Sequence, residues 1–187
     1  MSFAGGNHLE LSSITTTVHL GAHADAPSHY HAEGMTMEKR SPARYVGPAQ
    51  VVRVKGLKPR ERVMPGHMRV EVLAPRILFD TGSFPDPENW NSDFCALSPE
   101  LLNYLADQGV KLVGIDTPSV DPEDSKALES HQVLFARDLA VLEGLLLKDV
   151  PEGIYTLVAP PLPIEGCDAS PVRAVLFPKV HDWVELE

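Results

Sequence analysis

Apolar positions along this chain fall in short runs punctuated by proline, glycine, asparagine and aspartate. Long amphipathic periods are scarce, so strands are expected to outnumber helices. Leu9 to Val18 (LELSSITTTV) is rich in threonine and β-branched residues with rough alternation, which predicts a strand. Gln50 to Val54 (QVVRV) predicts a short strand. Met68 to Leu73 (MRVEVL) predicts another, and Pro75 separates it from Arg76 to Asp80 (RILFD), a short apolar run of the kind found in buried strands. Gly82 to Asp93 is rich in Pro, Asn and Asp and reads as a loop.

Helical signals begin in the second half. Ser98 suits an N-cap, with Pro99 and Glu100 in the first turn before LLNYLADQG, and Gly109 suits the C′ position. Val110 to Ile115 (VKLVGI) follows as a strand with Asp116 at its end. Strand, helix and strand in this order predict a parallel pair. Asp124 or Ser125 can cap a helix running to about Arg137. Val141 to Leu147 fits helix or strand, and Tyr155 to Ala159 and Val172 to Leu176 read as late strands. The sum is a mixed α/β or α+β fold in one domain, residues 1–187, with many proline-bounded strands.

Composition narrows the function classes. The 187 residues are 43% hydrophobic and 22% charged, ordinary values for a folded globular chain long enough to bury a core. Sixteen Lys and Arg against 26 Asp and Glu give a net charge of −10, which disfavours nucleic acid or an anionic membrane as partner. Cys95 and Cys167 form no C-x-x-C and suggest free thiols in a reducing compartment. No basic segment precedes an apolar run at the start, and no apolar run is long enough to span a bilayer, so a cytoplasmic location is expected.

The chemistry concentrates in HLGAHADAPSH, where His19, His23, Asp25 and His29 fall within eleven residues. In an extended segment His23 and Asp25 share a side, and Gly21 permits a turn that returns His19 beside them. Two imidazoles and a carboxylate are donors for a borderline divalent cation such as zinc or manganese, and they leave positions open for water. Polar-loop histidines are the alternative, disfavoured by this density. His8, His67 and His181 have no partnered neighbours and read as surface histidines, and His31 is close enough only for an outer role. Asp116 and Ser119 follow a strand end, where they serve either the site or the shape of the loop. Cys95 and Cys167 lack an adjacent base and read as small apolar residues. No G-x-S-x-G elbow supports a serine nucleophile.

HLGAHADAPSH resembles the metal-binding signature H-x-G-[TA]-H-x-D-x-P-x-H of the cyclase-like metal-dependent hydrolases, the superfamily of bacterial kynurenine formamidase (arylformamidase) and isatin hydrolase. GIDTPSVDPEDSKALESHQVLFARDLAVLEGL (residues 114–145), LKDVPEGIY and DASPVRAVL (residues 168–176) resemble the formamidase branch, and the similarity runs from about Phe3 to Leu176. The resemblance implies a swivelling β/β/α-type domain, a homodimer and two divalent cations, zinc or alternatively manganese. His19, His23 and Asp25 would hold the first and Asp25, His131 and Glu143 the second, with His29 as proton donor and acceptor. The implied reaction is hydrolysis of N-formyl-L-kynurenine to L-kynurenine and formate in tryptophan breakdown. Alternatives are a cyclic-amide hydrolase of the isatin type, a metal-binding homologue without turnover, and a plain binding domain without metal. Members of that branch usually carry an N-terminal segment with a substrate-contacting Trp before the region matching Phe3. By position neither Trp90 nor Trp183 stands in for it.

His131 and Glu143 are twelve residues apart, about 18 Å along an unbroken helix, too far for one cation. A shared site therefore requires the chain to turn near Arg137 to Leu139. Read without the resemblance, His131 is a half-buried helix histidine and Glu143 a solvated charge.

Overall fold

A computed structural model describes residues 1–178, so His181 and Trp183 lie outside the described residues. Its strands are β1 (His23–Asp25), β2 (Val46–Arg53), β3 (Arg62–Val63), β4 (Arg76–Asp80), β5 (Ala96–Leu97), β6 (Leu112–Ile115), β7 (Ala140–Leu142), β8 (Gly153–Val158), β9 (Ala169–Pro171) and β10 (Val175–Phe177). Two helices, α1 (Pro99–Asp107) and α2 (Glu129–Ala136), complete a mixed α/β fold. Six strands form the main sheet in the order β10-β8-β2-β4-β6-β7. The pairs β2–β4, β4–β6 and β6–β7 are parallel, and β8 and β10 extend the other edge in antiparallel fashion. Two small ladders, β1–β9 antiparallel and β3–β5 parallel, flank it.

The central strands alternate between two buried faces, as period-two geometry requires. Ile77, Phe79, Val113, Ile115 and Val141 pack with Leu101, Leu105 and Leu134 of the helices. Leu78, Leu112, Ala140 and Leu142 point the other way, against Ala24, Ala26, Met37 and Tyr45 of the amino-terminal segment. Thus helices cover one face and largely irregular chain covers the other. Both faces are dry, which explains why RILFD reads as one continuous apolar run.

Helix α1 forms as its sequence predicts. Ser98 caps it by accepting from the Leu101 amide at 3.0 Å, Pro99 opens it, and Gly109 follows at φ +83°. Helix α2 starts later than Asp124 or Ser125 would set it. Its N-cap is Leu128 at φ +50°, with no side-chain cap of its own. Asp121 replaces that cap from a distance, accepting from the amides of Ser130 (3.1 Å) and His131 (3.0 Å). Ser125 accepts from the Leu128 amide and shapes the approach.

Two predicted strands do not form. Leu9 to Val18 is irregular and solvated, with Ile14 86% exposed, because no strand edge lies beside it. Met68 to Leu73 is held instead by the Gln50 side chain, which donates to the Glu71 carbonyl and accepts from the Leu73 amide, replacing a ladder. The ambiguous run Val141 to Leu147 contributes a strand only through Leu142. The last predicted strand is shifted to Val175–Phe177. No helix among the described residues is long and apolar enough to cross a membrane.

Candidate metal centre

The site lies where β1 meets the carboxyl ends of β6 and β7. His23 and Glu143 exchange two backbone hydrogen bonds (3.1 and 3.0 Å), an isolated antiparallel bridge between segments distant in sequence. Gly21 takes φ +57° and turns the chain so that His19 lies back over Asp25, with Nδ1 3.1 Å from Oδ1. Gly144 takes φ +65°, and a Cβ there would sit 2.5 Å from the Gly21 carbonyl oxygen. Only glycine allows this approach. On the other side α2 carries His131 inward, the chain turns at Arg137 and at Asp138 (φ +50°), and β7 returns to present Glu143. The turn required between His131 and Glu143 is therefore present.

The structure thus brings together His19, His23, Asp25, His131 and Glu143. His23 Nε2 is 3.4 Å from Asp25 Oδ1 and 3.4 Å from Glu143 Oε2. His131 Nε2 is 3.5 Å from Asp25 Oδ2 and 3.5 Å from Glu143 Oε1. His19, His23 and Asp25 form one group of donors able to hold a cation, and Asp25, His131 and Glu143 form another. Donors bonded at about 2.0–2.1 Å to one tetrahedral ion lie about 3.3–3.4 Å apart, close to these separations. Both Asp25 oxygens and His131 Nε2 are buried with no hydrogen-bond partner among the described residues. Buried polar atoms left this way are costly, so the donor set fits a cation.

Surrounding contacts fix the orientation of each donor. His23 Nδ1 is 2.8 Å from the Gly21 carbonyl, which leaves Nε2 for the site. His131 Nδ1 is 2.8 Å from Asp121 Oδ2, and Arg62 pairs with Asp121 at 2.9 Å. Glu143 Oε1 accepts from the Val120 amide at 2.7 Å. Carboxylate or carbonyl partners of this kind hold a metal-binding imidazole in one tautomer. Buried charges on both sides shift the titrations. Burial opposes a proton on His131, yet Asp121, Asp25 and Glu143 together push it up to about 11. Contact with Asp25 raises His19 to about 9 against the opposing effect of burial. Burial would raise Asp25, but His131 and His19 hold it well below the usual carboxylate range.

His29 sits on the short helical turn Pro27–His29, its ring centroid 4.2 Å from that of His19 and 6.2 Å from that of His131. It lines a cavity of about 400 Å3 together with His19, His23, His131 and Glu143. Phe84, Pro87, Trp90 and Leu146 also line that cavity. Trp90 does not match the expected aromatic contact by sequence position, but the fold carries it to this cavity, 61% exposed and edge-on to Phe84. Asp116 accepts from Thr81 and Gly82 and so shapes the loop that carries Phe84. Burial raises its pKa. Ser119 accepts from the Asp121 amide.

His31 points away and stacks on Phe135 at 3.6 Å. His67 accepts from the Met64 amide, and His8 is exposed. Cys95 is buried and Cys167 half-buried, both as free thiols. Sequence reading assigned no role to Asp121 or Asp168, although both lie in stretches of family resemblance. Asp124 and Ser125 offered nearer caps in the sequence, so nothing there pointed to Asp121 as the cap of α2.

A mixed α/β sheet with a buried histidine–carboxylate cluster at the carboxyl ends of its parallel strands describes a class of protein built to hold a cation over a cavity. Comparison with known proteins makes the class specific. The putative cyclase family model matches residues 3–122, and the chain belongs to that family of cyclase-like metal-dependent hydrolases. It is similar to a solved structure described as a potential metal-dependent hydrolase with cyclase activity (32% identity, 88% of this chain and 81% of that one, TM-score 0.77). A predicted metal-dependent hydrolase from Bacillus stearothermophilus is 31% identical over 90% of this chain and 82% of that one, with a TM-score of 0.74. Isatin hydrolase A from Labrenzia aggregata shares the fold at 22% identity over 88% of this chain and 75% of that one, with a TM-score of 0.71.

Proposed function

We propose that this chain hydrolyses N-formyl-L-kynurenine to L-kynurenine and formate with two divalent cations, zinc or manganese. His19, His23 and Asp25 hold one, Asp25, His131 and Glu143 hold the other, and Asp25 is shared. The observation that carries the reading is the shared, unpartnered Asp25 carboxylate, with one oxygen toward each donor group. When bound, such cations lower the pKa of water and polarise a carbonyl, one route to amide cleavage at neutral pH.

The chain's own residues supply the rest. His29 takes the proton of the attacking water and delivers it to the leaving aniline nitrogen, a task suited to an imidazole near neutral pH. Phe84 and Trp90, which line the same cavity as the histidines, provide an apolar surface for the aryl ring. Burial of Asp25, His131 and Glu143 keeps competing water from the donors.

The test is metal stoichiometry measured alongside formate release from N-formyl-L-kynurenine, with isatin as the competing substrate. Two cations per chain and a preference for the formamide are expected. His29→Asn should keep both cations and lose about 10²–10⁴-fold in turnover, the usual contribution of a general acid–base group. Loss of the cations in that variant would make His29 a ligand, and preference for isatin would move the reading to the cyclic amides.

A further inference from the structure

Asp168 lies immediately before β9, and its place is set by backbone rather than by its own side chain. Its carbonyl accepts from the Ala26 amide at 2.8 Å, and the β1–β9 register pairs Asp25 with Ala169. This ladder delivers the carboxylate to His29 and His19. Oδ2 is 2.9 Å from His29 Nδ1 and 3.1 Å from His19 Nε2. One oxygen thus faces two ring nitrogens, and a carboxylate can only accept. Both nitrogens must therefore carry hydrogen. His29 is then fixed with Nδ1–H toward Asp168 and Nε2 free on the cavity side. His19 is fixed with Nε2–H toward Asp168 and its Nδ1 lone pair toward Asp25, 3.1 Å away. A lone pair and a carboxylate oxygen that close repel unless a proton or a cation lies between them.

The geometry points to Asp168 as a positioning residue shared by two functions: it sets the tautomer of the proton-moving His29 and, through the same oxygen, aims His19 Nδ1 at the cation. The His29 half rests on the hydrolytic reading above, whereas the His19 half stands without it. In this arrangement the orientation of the first donor group and that of the acid–base group move together. Asp168 differs in this from Asp121, which serves His131 alone among the imidazoles.

Two variants separate this role from a structural one. Asp168→Ala removes the acceptor, and Asp168→Asn keeps its shape and one amide oxygen; thermal melts confirm that both fold. In the metal-free protein, 15N spectra of labelled histidine should show His29 as the Nδ1–H tautomer, with that preference lost in Asp168→Ala and partly restored in Asp168→Asn. Titration against a chelating dye should show cation affinity about 10–100-fold weaker in Asp168→Ala, the usual loss when the partner of a metal-binding imidazole is removed. Neither readout needs substrate, so both decide the proposal even if N-formyl-L-kynurenine is not turned over. Where turnover is measurable at saturating cation, Asp168→Ala should slow the wild type and add nothing to His29→Asn. An unchanged tautomer and unchanged affinity would overturn the assignment. So would additive losses in the double variant at saturating cation, or a whole equivalent of cation missing from Asp168→Ala, which would make Asp168 a ligand.

Discussion

The two halves of the site are built on different principles. His19, His23 and Asp25 lie within seven residues on β1 and the Gly21 turn that precedes it; His23 and Asp25 are buried, and His19 remains partly open to solvent. His131 and Glu143 come from a helix and a strand end, are almost wholly buried, and are held by Asp121 and the Val120 amide. Asp168, the outer partner of the first half, is 45% exposed at its side chain, while Asp121, the partner of the second, is completely enclosed. The first half is thus compact in sequence, with one donor, His19, left partly open to solvent. The second is dispersed in sequence and wholly buried. Orientation by packing and orientation by a local turn are different routes to a donor geometry, and this site uses one of each.

The strongest way to break the comparison is Asp25→Ala, since Asp25 belongs to both halves. Both cations should leave together, read by elemental analysis, and turnover should fall by three orders of magnitude or more (roughly, for loss of metal-ion catalysis). Retention of one full equivalent would show that the halves bind independently. Next, Asp121→Ala should cost about 3–5 kcal/mol in chemical denaturation, because it removes the buried charge partner of His131 and uncaps α2. The matched Asp168→Ala should destabilise far less, given its exposure; equal losses would erase the distinction between the halves.

Metal uptake should also depend on pH. His19 and His131 hold protons up to about 9 and about 11 in the metal-free protein, and a cation takes a nitrogen lone pair only after its proton leaves. Affinity should therefore rise as pH rises from 6 to 9, by about tenfold per unit for each proton released. Calorimetry in buffers of different ionisation enthalpy counts those protons, and a flat profile would contradict the raised values. The smallest effect is expected from Gly144→Ala. A side chain at φ +65° that also meets the Gly21 carbonyl should destabilise by at least about 1 kcal/mol and weaken the first half more than the second. Equal weakening in metal titrations would show that the seam between them is not local.

This contrast also explains what could be read from the sequence. The first donor group was legible because its residues are neighbours, and α1 was legible because Ser98, Pro99 and Gly109 mark its ends locally. The second group was not readable from spacing alone, since a helix, a turn and a strand lie between His131 and Glu143; it entered only through family resemblance. Asp121 as a remote cap for α2, Trp90 on the cavity wall and the side-chain clasp of Gln50 all depend on tertiary placement. Leu9 to Val18 has the residue types of a strand, yet strand propensity is realised only where an edge is available.

The pairing of β1 with β9 and the bridge from His23 to Glu143 join parts of the chain more than a hundred residues apart. During synthesis the histidine-rich motif leaves the ribosome long before Glu143 or Asp168 exists. Until then two of the five donors, His131 and Glu143, are missing. Contacts of such long range form late, after the sheet that anchors them. A centre whose donors come from both ends of the chain is complete only once the sheet that joins them has formed.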